Sequence, residues 1–217
     1  MFCADIPGLT VARLVGLSVP STQRLYDGLR LRIMELTMAE ARPFAGEVEI
    51  DESYFGARRV GGKRLAHLPA PTCPLRLLGG RGAGGKTPVV GLLKRGGKVF
   101  TESVENCSKA ALLPLIQGQV LSAATIYTDG WKSDDGLVLG GDKHPRIHHH
   151  QNQFARGKNH VHGSESFWSF TKLRLAKWRG IRAQYFFLHL KESEWRWSHR
   201  HDNLYLLLLK NLRSQPL

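Results

Sequence analysis

The chain is poor in cysteine, poor in acids and has no long apolar run. Its three cysteines, Cys3, Cys73 and Cys107, stand alone. No CxxC pair occurs, so neither a disulfide framework nor a zinc ribbon is supported, and a reducing cytosol fits. No apolar stretch approaches the roughly 18 residues of a membrane span. No basic start followed by an apolar core marks a secretion signal. Acids are outnumbered, 18 Asp and Glu against 31 Lys and Arg, which leaves a formal net charge of +13. So large an excess suits a polyanion, most often nucleic acid, because neutralising phosphates releases counterions. A basic protein without such a partner is the plainer alternative.

What is present is enough for a core. With 217 residues, 42% of them hydrophobic, the chain can form one ordinary domain plus a small appendage. The first part reads as two helices, 9–15 and 20–33, around the turn Gly16-Leu17-Ser18. Ala12 and Gly16 would let the helices cross closely, with Leu9, Leu14, Leu17, Leu25 and Leu29 between them. A helix-turn-helix of this kind would offer Ser21, Thr22, Gln23 and Arg24 to the major groove. An ordinary helical hairpin fits the same letters. A third supporting helix would have to precede Met1, which would make the 1–35 segment a truncated one.

Residues 36–46 read as a linker, and 47–217 as the main domain. Residues 47–55 alternate, with Val48 and Ile50 on one face, as a half-buried strand does. The stretch 58–85 has no stable period and carries Arg58, Arg59, Lys63, Arg64, Arg76 and Arg81, a loop long enough to be functional or an insertion. Residues 87–93 and 99–104 predict a hairpin. Ser108 should cap a helix over 109–120, with Ala111, Leu112, Leu115 and Ile116 inward. A short strand, 124–128, is closed by Asp129-Gly130-Trp131. Residues 132–163 read as loop. Three helices follow, the first opened by Ser164 as N-cap and ended by Gly180, the others over 184–198 and 203–213.

Three acids sit where strands and a helix change over. Asp51 and Asp129 stand at or near strand ends, and Glu165 falls in the first turn of a helix, where a carboxylate is favoured. In an α/β sheet such positions meet at one edge. Three converging carboxylates can hold two Mg²⁺ or Mn²⁺ ions, hard cations that prefer oxygen. Two such ions can activate a hydroxyl and stabilise a leaving oxygen in phosphoryl transfer. Taken singly each acid has a structural explanation: Asp129 before Gly130 as a turn former, Glu165 as a helix-start charge. Between Asp129 and Glu165 lie 35 residues, and Lys172 follows Glu165 by seven, about two turns along one helix face.

These motifs resemble the DDE transposases of bacterial insertion sequences, in a small branch with a short helix-turn-helix ahead of an RNase H-like catalytic domain. The resemblance is carried by Val48-Glu49-Ile50-Asp51-Glu52-Ser53-Tyr54-Phe55-Gly56, by Gly85-Lys86-Thr87-Pro88-Val89-Val90-Gly91-Leu92-Leu93-Lys94-Arg95 and by Thr128-Asp129-Gly130-Trp131. Residues 152–157 and the stretch through Lys172 add to it. It implies an α/β fold and a metal-binding triad of Asp51, Asp129 and Glu165. It also implies that Lys172 contacts terminal DNA. The implied activity is cleavage at element ends and transfer of 3′ hydroxyls into target DNA. Terminal inverted repeats and target DNA would be the partners, a homodimer would form on DNA, and the work would be done in the bacterial cytoplasm at the nucleoid. The chain departs from the pattern in a longer 65–78 segment, in Asp134 and Asp142 where aromatic residues are expected, and in His162 where a small polar residue is usual. The alternatives are an RNase H-like nuclease or resolvase that cuts without joining, and an inactive DNA-binding remnant.

Other signals have weaker claims. His144, His148, His149, His150, His160 and His162 match no zinc spacing and suit DNA contact or loop polarity. Trp168, Trp178, Trp195 and Trp197 fall at helical spacing and read as packing residues, leaving Trp131 for base stacking. Gly80 to Thr87 spells GxxxxGKT, but Pro88-Val89-Val90 begins a strand where a phosphate loop needs a helix, so no nucleotide cofactor is expected.

Overall fold

Pro7 and Gly16 bracket the first helix, α1 (Gly8–Val15), which Gly16 ends in the left-handed conformation at φ 69°. The Ser18 hydroxyl accepts the Ser21 amide and, with Pro20 in the first turn, opens α2 (Val19–Glu40). The computed structural model describes residues 1–56, 86–128, 146–149, 162–178 and 180–217. Then follow β1 (Glu47–Phe55), β2 (Thr87–Lys94), β3 (Val99–Ser103), α3 (Lys109–Gln119), β4 (Thr125–Thr128), β5 (Arg146–His149), α4 (His162–Ala176), α5 (Ala183–Ser198) and α6 (Leu204–Ser214). The strands form one sheet in the order β3-β2-β1-β4-β5. β1 runs antiparallel to β2 and parallel to β4, and β4 parallel to β5.

The chain divides into two compact units. The helical unit comprises Met1–Arg42, Gly96–Phe100 and Ser166–Leu217; the sheet unit comprises Pro43–Arg95 and Thr101–Glu165. In the helical unit Phe2, Val11, Tyr26, Leu29, Ile33, Trp195 and Leu208 form a core cluster. His189 to Arg196 are buried together on α5. A run with so many charges stays buried only if each is paired. Glu192 accepts from Arg30 Nε and Arg196 Nε, each at 2.9 Å, and pairs with Arg174. Arg196 also donates to the carbonyls of Phe2 (2.6 Å) and Cys3 (2.9 Å). In the sheet unit Val48, Ile50, Val89, Val90, Leu92, Leu112, Ile116 and Ile126 are almost wholly buried.

Several expectations change. α2 continues to Glu40, into the expected linker, because Leu36, Met38, Ala39 and Glu40 are good helix formers and Pro43 comes only later. Leu9, Leu14, Leu17 and Leu25 are exposed, and only Leu29 of that set is buried. Gly16 serves as a helix cap, with open space around it, and makes no close crossing. Ser108 stands at the α3 N-cap position but its side chain makes no capping bond. β5 lies inside the expected 132–163 loop. α4 begins at His162, two residues before the expected cap.

Candidate functional site

On β1 alternate side chains point to opposite faces. Val48 and Ile50 are buried on one face; Glu49 and Asp51 lie on the other. Asp51 sits mid-strand against β2, opposite Gly91. On the β4 side the described pairing reaches Ile50 opposite Thr128. β1 itself continues past Asp51 to Phe55. Asp51 is half-buried and its Oδ1 accepts the Glu52 amide at 2.8 Å. The two paired residues, Ile50 and Thr128, immediately precede Asp51 and Asp129 in the chain.

Glu165 is exposed in the first turn of α4, and Lys172 is exposed two turns on. The turn is held by Glu49, a residue the sequence reading passed over. The Ser164 amide donates to Glu49 Oε2 at 2.9 Å, while Arg95 Nε donates to Glu49 Oε1 at 3.0 Å. Ser164 is therefore not the N-cap. Its amide is one of the first-turn donors that a helix cannot satisfy itself, and a carboxylate from β1 supplies the acceptor. Gly163 allows the approach: a Cβ there would collide with the Leu93 side chain and come within 2.9 Å of Glu49 Oε2.

Arg95 is itself bracketed. Its guanidinium lies 3.8 Å from the centre of the Tyr127 ring, and its amide donates to the Glu47 carbonyl at 3.1 Å. The Tyr127 hydroxyl donates to Glu47 Oε1 at 2.9 Å. Burial opposes the Arg95 charge, but the bonds to Glu49 and Glu47 outweigh it and raise its pKa. The hydrogen bond to Glu47, then burial, pushes the Tyr127 hydroxyl up.

The remaining expected residues divide. Ser21, Gln23 and Arg24 are exposed at the start of α2, whereas Thr22 is buried with its hydroxyl donating to the Ser18 carbonyl. Asp129, Trp131, Arg58, Arg59 and Lys63 lie outside the described residues, as do Arg64, Arg76 and Arg81, and His144, His150 and His160 of the histidine set. The two described acids of the expected triad, Asp51 and Glu165, offer carboxylate oxygen, the chemistry a hard divalent cation prefers. Among the described residues no three metal-binding side chains gather around one point. Nor, among them, is any helix long and apolar enough to cross a membrane.

Residues 43–198 match the ISXO2-like transposase domain. The chain belongs to that transposase family. An uncharacterized transposase-like protein of Haemophilus influenzae is 37% identical over 115 residues, which cover 53% of this chain and 93% of that protein. No solved structure matches. The mixed α/β make-up, with its mixed sheet, is consistent with an RNase H-like transposase domain.

Proposed function

We propose that this transposase-family chain cuts DNA at the ends of an insertion sequence and joins the freed 3′ hydroxyls to target DNA, with Asp51, Asp129 and Glu165 as the metal-holding residues. One observation carries the reading: β1, which bears Asp51, is bonded both to the residue before Asp129 and to the residue before Glu165. Ile50 pairs with Thr128, and Glu49 accepts from Ser164. Asp51, Asp129 and Glu165, each following one of Ile50, Thr128 and Ser164, would offer an all-oxygen donor set. Bound Mg²⁺ or Mn²⁺ would polarise the scissile phosphate and lower the pKa of the attacking hydroxyl. Asp51 and Glu165 would hold that charge in place, and Lys172, exposed seven residues after Glu165, would meet the DNA backbone. The basic residues Arg58, Arg59 and Lys63, with Ser21, Gln23 and Arg24, would add phosphate contacts, and Trp131 a stacking surface for a base. Holding two element ends at once calls for two copies of the chain on the DNA, in the cytoplasm where the nucleoid lies.

The test is a strand-transfer assay with pre-cut ends in Mn²⁺. The intact protein should give joined product, and Asp51→Asn or Glu165→Gln should reduce it at least about a hundredfold, the scale lost with one preorganised charged group. Cleavage without joined product would make the protein a nuclease instead. DNA binding without cleavage would make it an inactive remnant.

A further inference from the structure

We infer that Glu49 is a positioning residue, which with Arg95 and Gly163 sets the first turn of α4 against β1 and so fixes where Glu165 stands relative to Asp51. The inference rests on the reading of Asp51 and Glu165 as metal donors. Glu49 is only 2% exposed. A buried carboxylate is costly unless charged and hydrogen-bonding partners surround it. Each of its oxygens has a separate partner, Arg95 on Oε1 and the Ser164 amide on Oε2. The guanidinium is pinned by Glu47 and Tyr127, so the carboxylate it grips is pinned in turn. The second oxygen then places the helix. Ser164 is one residue from Glu165, and Asp51 is two residues along the same face of β1, about 7 Å at strand rise. A single side chain thus joins the segments that bear two of the donors.

A simple fold-stabilising role makes a different forecast. A cap that only stabilises the helix would change the melting temperature and leave metal affinity per folded molecule intact. A positioning residue changes the affinity of the folded protein. Groups that orient metal donors typically account for about 10–100-fold in affinity or activity.

The experiment uses the full chain, Mn²⁺ binding by calorimetry without DNA, kcat and KM for strand transfer, and circular dichroism to count folded protein. Glu49→Leu should weaken Mn²⁺ binding and kcat at least about tenfold per folded molecule, with KM for DNA changed less than about twofold. Glu49→Gln keeps an acceptor for the Ser164 amide and should recover much of both losses. Gly163→Ala keeps both side chains of the Glu49–Arg95 pair but sets a methyl group against Leu93 and Glu49 that displaces the turn, and should reproduce the leucine phenotype; it decides the matter if the leucine variant does not fold. Mn²⁺ affinity and kcat within about twofold of the unmutated protein in Gly163→Ala, or in a folded Glu49→Leu, would overturn the inference. Asp51→Asn and Glu165→Gln separate the two failures. If they too bind Mn²⁺ normally, the donor reading has failed; if they lose binding while the Glu49 and Gly163 variants keep it, only the positioning role has.

Discussion

Glu192 and His189, one turn apart on α5, both titrate abnormally and both penalise acid. Burial alone would push the Glu192 carboxyl up, but the guanidiniums of Arg174, Arg196 and Arg30 outweigh it and hold it at about 2. Its contribution to stability is complete above its unfolded pKa and declines as pH falls towards 2. Burial first, and the charges of Arg30 and Arg174 after it, depress His189 to about 3, so the folded state keeps it neutral while the unfolded state takes up a proton near 6.5. Stability should therefore fall with pH between 6.5 and 3, by up to about 1.4 kcal/mol per pH unit from this residue. Urea unfolding at a series of pH values checks this: His189→Leu should flatten the slope below pH 6.5, and an unchanged slope would exclude the histidine as its cause. Glu192→Gln leaves three buried guanidiniums short of a counter-charge and should cost roughly 3–5 kcal/mol at neutral pH.

Capping chemistry separates elements that look alike in sequence. Asn203 and Ser108 both stand at N-cap positions, but only Asn203 accepts a first-turn amide, from Leu206 at 3.1 Å. Asn203→Ala should cost about 1 kcal/mol and Ser108→Ala a few tenths at most, read from thermal unfolding. Equal losses would contradict the assignment. Most elements were legible because their periods are strong: the alternation of β1, the apolar run of β2 and the helical spacing around Leu112 and Ile116 all match. β5 was not legible, since Arg146-Ile147-His148-His149 carries one apolar residue and no strand pattern. The start of α4 was misread because Ser164 has the letters of a cap, while the acceptor that matters comes from Glu49, 115 residues earlier. Alternation likewise assigned Glu49 to the solvent side of a half-buried strand. That its face is covered depends on Arg95 and on α4's first turn, contacts that no local pattern encodes. Asp51 and Glu165 were legible as candidates because acids at such positions are chemically conspicuous.

For the molecule as a whole the charge of +13 sets how it should meet DNA. If about six or more phosphates are neutralised, affinity for plain duplex should drop at least about a thousandfold between 50 and 200 mM salt. Fluorescence anisotropy across that range measures it, and a nearly salt-independent affinity would remove electrostatics as the basis of binding. Within the helical unit, two buried charges of α5 also bond groups early in the chain: Arg196 donates to the carbonyls of Phe2 and Cys3, and Glu192 accepts from Arg30. On a ribosome adding about 5–20 residues per second, α2 emerges on the order of ten seconds before α5. Throughout that interval Arg30 has Asp27 but lacks the Glu192 carboxylate, and the core cluster lacks Trp195 and Leu208. The amino-terminal helices of a nascent chain thus wait, incompletely packed, for the carboxy-terminal ones, and a ribosome that stops early releases a protein whose first helices have no finished core.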